Sequence, residues 1–198
     1  VPRLAVGHTF PLMMPGWEPR PIAALYANLC SFLFDYLTRQ KVGGVHLTFS
    51  YLKQLPVLEP STYCREARWA PDATVGDWLV RRVLELTFTA SDLESFGADL
   101  GYSGPPFRWD ETRRLRLRCE LDAAFFHLYG IPRADVDYIM DTFPIVRRND
   151  EQKYGDYRTK NLILEIYDEL QRAIDTGKPF VSRRDQPPGD PRASHGAA

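Results

Sequence analysis

The chain has 198 residues, 44% of them apolar and 26% charged, enough to bury a substantial core in one domain or in a domain with an appendage. Its 25 Lys and Arg stand against 26 Asp and Glu. That balance argues against autonomous tight binding to DNA phosphates, and it is compatible with a local basic face inside a larger protein. Cys30, Cys64 and Cys119 are odd in number and include no Cys-x-x-Cys, which points to reduced thiols in the cytoplasm rather than to a disulfide framework or zinc site. His8, His46, His127 and His195 are scattered too widely for a Cys/His metal cluster.

Residues 1–20 hold four prolines and read as extended chain, with a short strand near residues 3–6. The sequence opens at Val1, straight into Leu-Ala-Val, which suggests the C-terminal piece of a longer protein. Residues 21–37 are apolar but too short for a membrane span, and they carry Asn28 and Asp35; no basic segment precedes them as in a signal peptide. They predict one buried helix with Ile22, Leu25, Tyr26, Leu29, Leu33, Tyr36 and Leu37 on one face. Gly43 and Gly44 would end it through a left-handed cap. A short strand from Val45, a turn of helix and a strand leading to Pro60 follow.

Residues 61–75 read as a connector and 76–87 as a helix. Ser91 and Glu94 have capping-box spacing for a short helix that ends at Gly101. Asp110 is the expected cap of a helix over residues 111–129. Leu117, Leu121, Ala124, Phe125 and Leu128 form one apolar stripe on it, and Leu115, Cys119 and Phe126 another. Arg116, Glu120, Ala123 and His127 are left for water, as in a helix at the centre of a bundle. Gly130 and Pro132 separate it from a helix over residues 134–142. A loop over residues 143–155 leads to a last helix, with Ile163, Ile166, Tyr167, Leu170 and Ile174 toward the core. From Gly177 onward the composition is that of a disordered tail.

Three stretches carry a resemblance. The first runs from Phe34 through Thr38-Arg-Gln-Lys41 and Gly43-Gly44 to Leu55-Pro-Val-Leu-Glu-Pro60. The second is Cys119-Glu-Leu-Asp-Ala-Ala-Phe-Phe-His-Leu-Tyr-Gly-Ile-Pro, continuing to Ile139. The third is Lys153-Tyr-Gly-Asp-Tyr-Arg-Thr-Lys160, followed by an amphipathic helix. In this order they resemble the C-terminal region of type IIG restriction–modification proteins, which are adenine-specific DNA methyltransferases, and of their phage-defence relatives. The resemblance spans most of residues 30–175.

It implies an α+β, mostly helical chain. Residues 1–60 would be the small α/β end of a DNA target-recognition domain, 61–176 a helical module and 177–198 a disordered tail. The implied role is to recognise and position double-stranded DNA while an adenine is flipped from the stack. The upstream methyltransferase domain of the same protein would bind S-adenosylmethionine and do the chemistry, and a nuclease or helicase subunit is a further implied partner. No cofactor is expected in this segment. Ser103-Gly-Pro-Pro-Phe107 copies the Pro-Pro-aromatic part of the catalytic motif but has Gly104 where the chemistry needs an Asn or Asp side chain, so it reads as a turn.

Candidate DNA contacts come from cations and small residues near the motifs. Arg39, Gln40 and Lys41 end a helix beside Gly43 and Gly44; cations there also satisfy the helix dipole without any partner. His46 and Thr48 alternate with apolar residues on the expected strand, and Lys53 follows. Arg113 and Arg114 belong to the densest basic run, in which Arg116 can pair with Glu120 one turn away. Arg147, Arg148, Lys153, Arg158 and Lys160 surround the expected loop, and such charge runs are often only solvated faces. Two other readings stay open: a helical scaffold that docks a protein partner, and a nuclease built on Asp135 or Asp137 with Glu151-Gln-Lys153. The last sequence usually rests on a sheet edge, whereas helices flank it here.

Overall fold

In the computed structural model, residues 16–44, 47–182 and 187 are described. The described chain is mostly helical with a small two-stranded antiparallel sheet, as the sequence predicts. The expected strand at residues 3–6 lies outside the described residues.

Where one helix is expected over residues 21–37, two form: α1, Pro19–Leu29, and α2, Phe32–Lys41. Ser31 divides them. Its backbone is extended, and its Oγ accepts the Phe34 amide at 3.2 Å while donating to the Asn28 carbonyl at 2.8 Å. Asp122, far along the chain, accepts the Phe32 amide at 2.8 Å. These side chains answer amides that a helix start leaves unpaired, so a break without Gly or Pro becomes stable.

The expected glycine cap is replaced by extended Val42, and neither Gly43 nor Gly44 has a positive φ. Val45 and His46 lie outside the described residues. Thr48 is not on a strand: its Oγ1 accepts the Tyr51 amide at 3.4 Å and opens α3, Phe49–Leu52. The chain from there to Pro60 is irregular, not extended.

The sheet lies instead in the expected connector. After α4, Pro60–Tyr63, strands β1, Glu66–Ala67, and β2, Ala70–Thr74, pair with Glu66 opposite Thr74 and Ala67 opposite Ala70. Trp69 at the hairpin tip is buried edge-on to Trp78, with ring centroids 5.5 Å apart. Thr74 then caps α5, Val75–Thr87, by accepting the Asp77 amide at 3.0 Å. A single 3-10 turn, Ser91–Leu93, precedes α6, Glu94–Asp99; Ala90 rather than Ser91 holds the cap position, so the expected capping box does not form.

The central helix α7, Glu111–Leu128, is capped by Asp110 as expected, at 2.9 Å from the Arg113 amide. It packs against α10, α5 and α2. The face reserved for water is covered instead: Glu120 and Ala123 are wholly buried, Arg116 is buried and His127 half-buried. Charge pairing makes this tolerable. Arg82 of α5 sits 2.8 Å from Glu120, Arg116 reaches Glu120 at 3.2 Å as its spacing suggests, and it also reaches Glu169 of α10 at 3.4 Å.

Helix α8, Arg133–Asp141, follows Gly130 at φ 68°. The expected loop at residues 143–155 is the helix α9, Pro144–Tyr154, which ends at Gly155 with φ 82°. Asp150 is the buried residue of α9, so the helix presents no apolar stripe to read. Last comes α10, Arg158–Thr176, with Ile163, Ile166, Tyr167 and Leu170 buried.

The tail beyond Gly177 does not leave the fold at once. The Phe180 amide donates to the Trp69 carbonyl at 2.8 Å, and Ser182 Oγ donates to Glu120 at 2.6 Å. A continuous apolar cluster joins Ala23, Ala27 and Leu33 to Leu79, Phe125, Ile166 and Phe180. The expected boundary at residue 60 therefore does not divide the core.

Candidate nucleic-acid interface and cleft

The sequence candidates sort by what holds them. Arg113 is buried and paired with Glu85, so it is structural. Lys160 bridges Asp137 at 3.0 Å and Asp141 at 2.9 Å, tying α10 to α8. That arrangement also fixes the reading of Asp137: it serves an ion pair, and Glu151 serves another with Arg147 at 2.7 Å. Asp135 is exposed. No group of three or more His, Cys, Asp or Glu side chains among the described residues is arranged to hold a metal ion.

Arg39 makes a two-point contact with Asp35, at 2.9 and 2.8 Å, and its guanidinium lies 4.9 Å from the Phe143 ring centroid. Phe143 is the residue from which α9 starts, and its carbonyl accepts the Arg147 amide. The last turn of α2 thus meets the residue from which α9, the helix carrying Arg147 and Arg148, starts. Gln40, Lys41, Gly43, Gly44, Lys53 and Arg148 are exposed. Lys41 has only a 3.4 Å contact with Gln54, and Lys53 and Arg148 have no ion pair among the described residues. A side chain at Gly43 or Gly44 would meet nothing within 4 Å, so neither is kept small by the protein itself. Thr48 is spent on its cap, and His46 lies outside the described residues.

Arg114, Lys153 and Arg158 belong to a different place. A cleft of about 750 Å³ opens between the α1–α2 junction, α5, α7 and α9, and Arg114 and Lys153 line it. Arg114 donates to the Leu86 carbonyl at 2.9 Å and lies 3.7 Å over the Trp109 ring. Lys153 pairs with Glu111, and Arg158 lies 4.4 Å over Tyr154, a residue that also lines the cleft. Two carboxylates deeper in the cleft each hold a helix start: Asp122 takes the Phe32 amide, and Asp150 takes the Thr159 amide at 2.6 Å. Burial pushes the Asp122 carboxyl up to about 7, against the opposing pull of the Phe32 amide and Arg118.

Sequence reasoning missed Asp122 and Trp109 as cleft residues and reached Arg118 only as a member of the basic run that holds Arg113 and Arg114. The only signal for Asp122 is a carboxylate between Leu121 and Ala123 in a helix that is apolar on both sides. Desolvation raises both cleft thiols, exposed Cys30 and buried Cys119, above their ordinary range, which disfavours the thiolate. His127 stacks on Tyr167 with centroids 3.9 Å apart; its Nε2 lies 3.0 Å from the Tyr167 carbonyl and must donate there, and burial lowers its pKa. The cleft can therefore bind and stack, but its thiols offer no ready attacking group.

No described helix is long and apolar enough to cross a membrane. Comparison with protein-family models, curated proteins and solved structures finds no match for the chain.

Proposed function

We propose that this chain recognises and positions double-stranded DNA as the C-terminal part of an adenine-specific DNA methyltransferase of a restriction–modification or phage-defence system. The observation that carries the reading is the junction of α2 and α9. Arg39 of the first resembling stretch lies there against Phe143, the residue from which α9 starts, and α9 carries the cations that precede the third stretch. The Cys119 thiol, 3.9 Å from the Thr159 carbonyl, and Tyr167, donating to the Ile131 carbonyl at 2.9 Å, tie the second stretch to the third and to the helix that follows it. Segments distant in sequence that carry one resemblance are thus built into one body.

S-adenosylmethionine would bind the upstream domain of the parent protein and supply the methyl group; no residue of this chain is assigned to it. The test is duplex binding as a function of salt. Contacts from Lys41, Lys53, Arg147 and Arg148 would give a log–log slope of about −3 to −4, because each phosphate neutralised adds roughly −0.9. Changing these residues together to Gln should flatten that slope, and binding with the slope unchanged would defeat the assignment.

A second reading has its own observation. Leu47, Phe49, Tyr51 and Val57 are all exposed within one short segment, as a scaffold that docks a protein partner would require. Salt-insensitive association with a nuclease, a helicase subunit or the methyltransferase domain, together with absent duplex binding, would favour it.

A further inference from the structure

We infer that the cleft between α1, α2, α5, α7 and α9 is a binding site for a single nucleotide, with the base on Trp109, the amino group of the base at Asp122 and the phosphate at Arg118. This goes beyond the duplex reading and does not depend on it, since none of the three residues lies at the α2–α9 junction. The first support is a prepared stacking surface. Trp109 is 60% exposed, yet one face of its ring is held by Arg114, whose guanidinium is itself fixed by the Leu86 carbonyl. A large aromatic ring immobilised at the lip of a cleft offers its remaining face to a planar ligand.

Charge order along the cleft gives the second support. Asp122 is only 6% exposed and spends Oδ1 on the Phe32 amide; Oδ2 receives no protein hydrogen bond among the described residues. That oxygen is open to the cleft, so it can accept a hydrogen bond from a ligand. Arg118 also lines the cleft, is exposed and forms no ion pair among the described residues, although Asp122 feels its charge. A ligand that suits this order carries N–H donors on its inner end, a flat apolar body and an anionic outer end.

Simpler ligands fit less well. An aliphatic amine would meet Asp122 but be opposed by Arg114, Arg118 and Lys153, while inorganic phosphate would leave Asp122 and Trp109 unused. A nucleotide of adenine, cytosine or guanine uses all of them. The cleft, at about 750 Å³, lies in the size range of ligand sites and has room for one.

The test is calorimetric titration of the chain with AMP, UMP, adenosine and ribose 5-phosphate. AMP should bind at least tenfold more tightly than ribose 5-phosphate, which lacks the base, and more tightly than UMP, which lacks the exocyclic amino group. Trp109→Ala, at an exposed position that leaves the fold intact, should weaken AMP at least tenfold. Arg118→Gln should weaken AMP while leaving adenosine unchanged. Asp122→Asn, which keeps an oxygen for the Phe32 amide, should erase the preference for AMP over UMP.

A short single-stranded oligo(dA) separates the two sources of this chemistry. Displacement of AMP by the oligonucleotide at lower concentration assigns the site to an unpaired residue of a strand, and its failure to displace assigns the site to a free nucleotide. Equal affinity for AMP and ribose 5-phosphate, no binding of any nucleotide, or full AMP affinity in folded Trp109→Ala would overturn the inference. Duplex binding measured with the Lys41, Lys53, Arg147 and Arg148 variants reports on the other reading separately.

Discussion

Replacing Glu120 by Ala tests the most consequential departure from the sequence reading. Glu120 is wholly buried, with Arg82 at 2.8 Å, Arg116 at 3.2 Å and Ser182 Oγ at 2.6 Å. Arg82 is itself only 1% exposed and is held at a pKa of about 10 by burial, even with Glu120 beside it. Loss of the carboxylate leaves that cation buried and uncompensated, which costs about 3–5 kcal/mol where one partner of a buried pair is removed. At roughly 2–4 °C per kcal/mol for a chain of this size, Tm should fall by about 6–20 °C. Calorimetry and urea unfolding measure it. Arg82→Met combined with Glu120→Leu should lose much less, because the desolvation cost leaves with the pair. Had the sequence reading of a solvated face been right, Glu120→Ala would stay within about 0.5 kcal/mol of the wild type, as surface substitutions do. That result would refute the buried network.

Two further outcomes follow from the packing. The Asp122 carboxyl titrates at about 7 in the fold against 3.8 as its ordinary value, so the folded state holds its proton more tightly and stability falls as pH rises through that window. The slope is at most about 1.4 kcal/mol per pH unit; Asp122→Asn should remove it, and because lowered His127 acts in the opposite direction, the difference between variant and wild type is the quantity to read. Phe180→Ala should destabilise by about 3–5 kcal/mol as a buried aromatic lost from a core, with early proteolytic cleavage near residues 178–182; cleavage there in the wild type at the same rate would deny that the segment is docked.

Element types were legible where apolar spacing was strong. The stripes on α7 and α10 and the cap at Asp110 could be read directly, because period and capping are local properties. The α1–α2 break was hidden because its second cap, Asp122, arrives from another helix ninety residues on. Helix α9 was hidden for a different reason: Pro144 opens it and Gly155 ends it, but its buried residue is Asp150 and Val146 is only partly covered, so no apolar stripe marks it. The face Arg116, Glu120, Ala123 and His127 was misassigned because charge implies water only when no opposite charge waits across the interface. Here Arg82, Glu169 and Ser182 wait, on α5, α10 and the chain after it. Spacing cannot supply that information.

Burial and pairing also separate the candidate DNA contacts from one another. An exposed ion pair one turn apart on a helix is worth about 0.3–0.5 kcal/mol, so Arg39 or Arg147 can leave Asp35 or Glu151 for a phosphate at little cost. Arg113 cannot leave Glu85 without abandoning a buried carboxylate, and Lys160, half-buried between two aspartates, is held nearly as firmly. Basic residues that look alike in sequence are therefore unlike in what they can do. Arg39 and Arg147 can exchange partners, as can the exposed cations Arg20, Arg133 and Lys153 elsewhere, whereas Arg113 and Lys160 lie within the helix packing. With Asp35 and Glu151 as placeholders, the positive charge of Arg39 and Arg147 becomes available when a stronger anion displaces them. Arg39→Gln should accordingly weaken duplex binding with little change in stability, whereas Arg113→Gln should unfold the protein before binding can be measured.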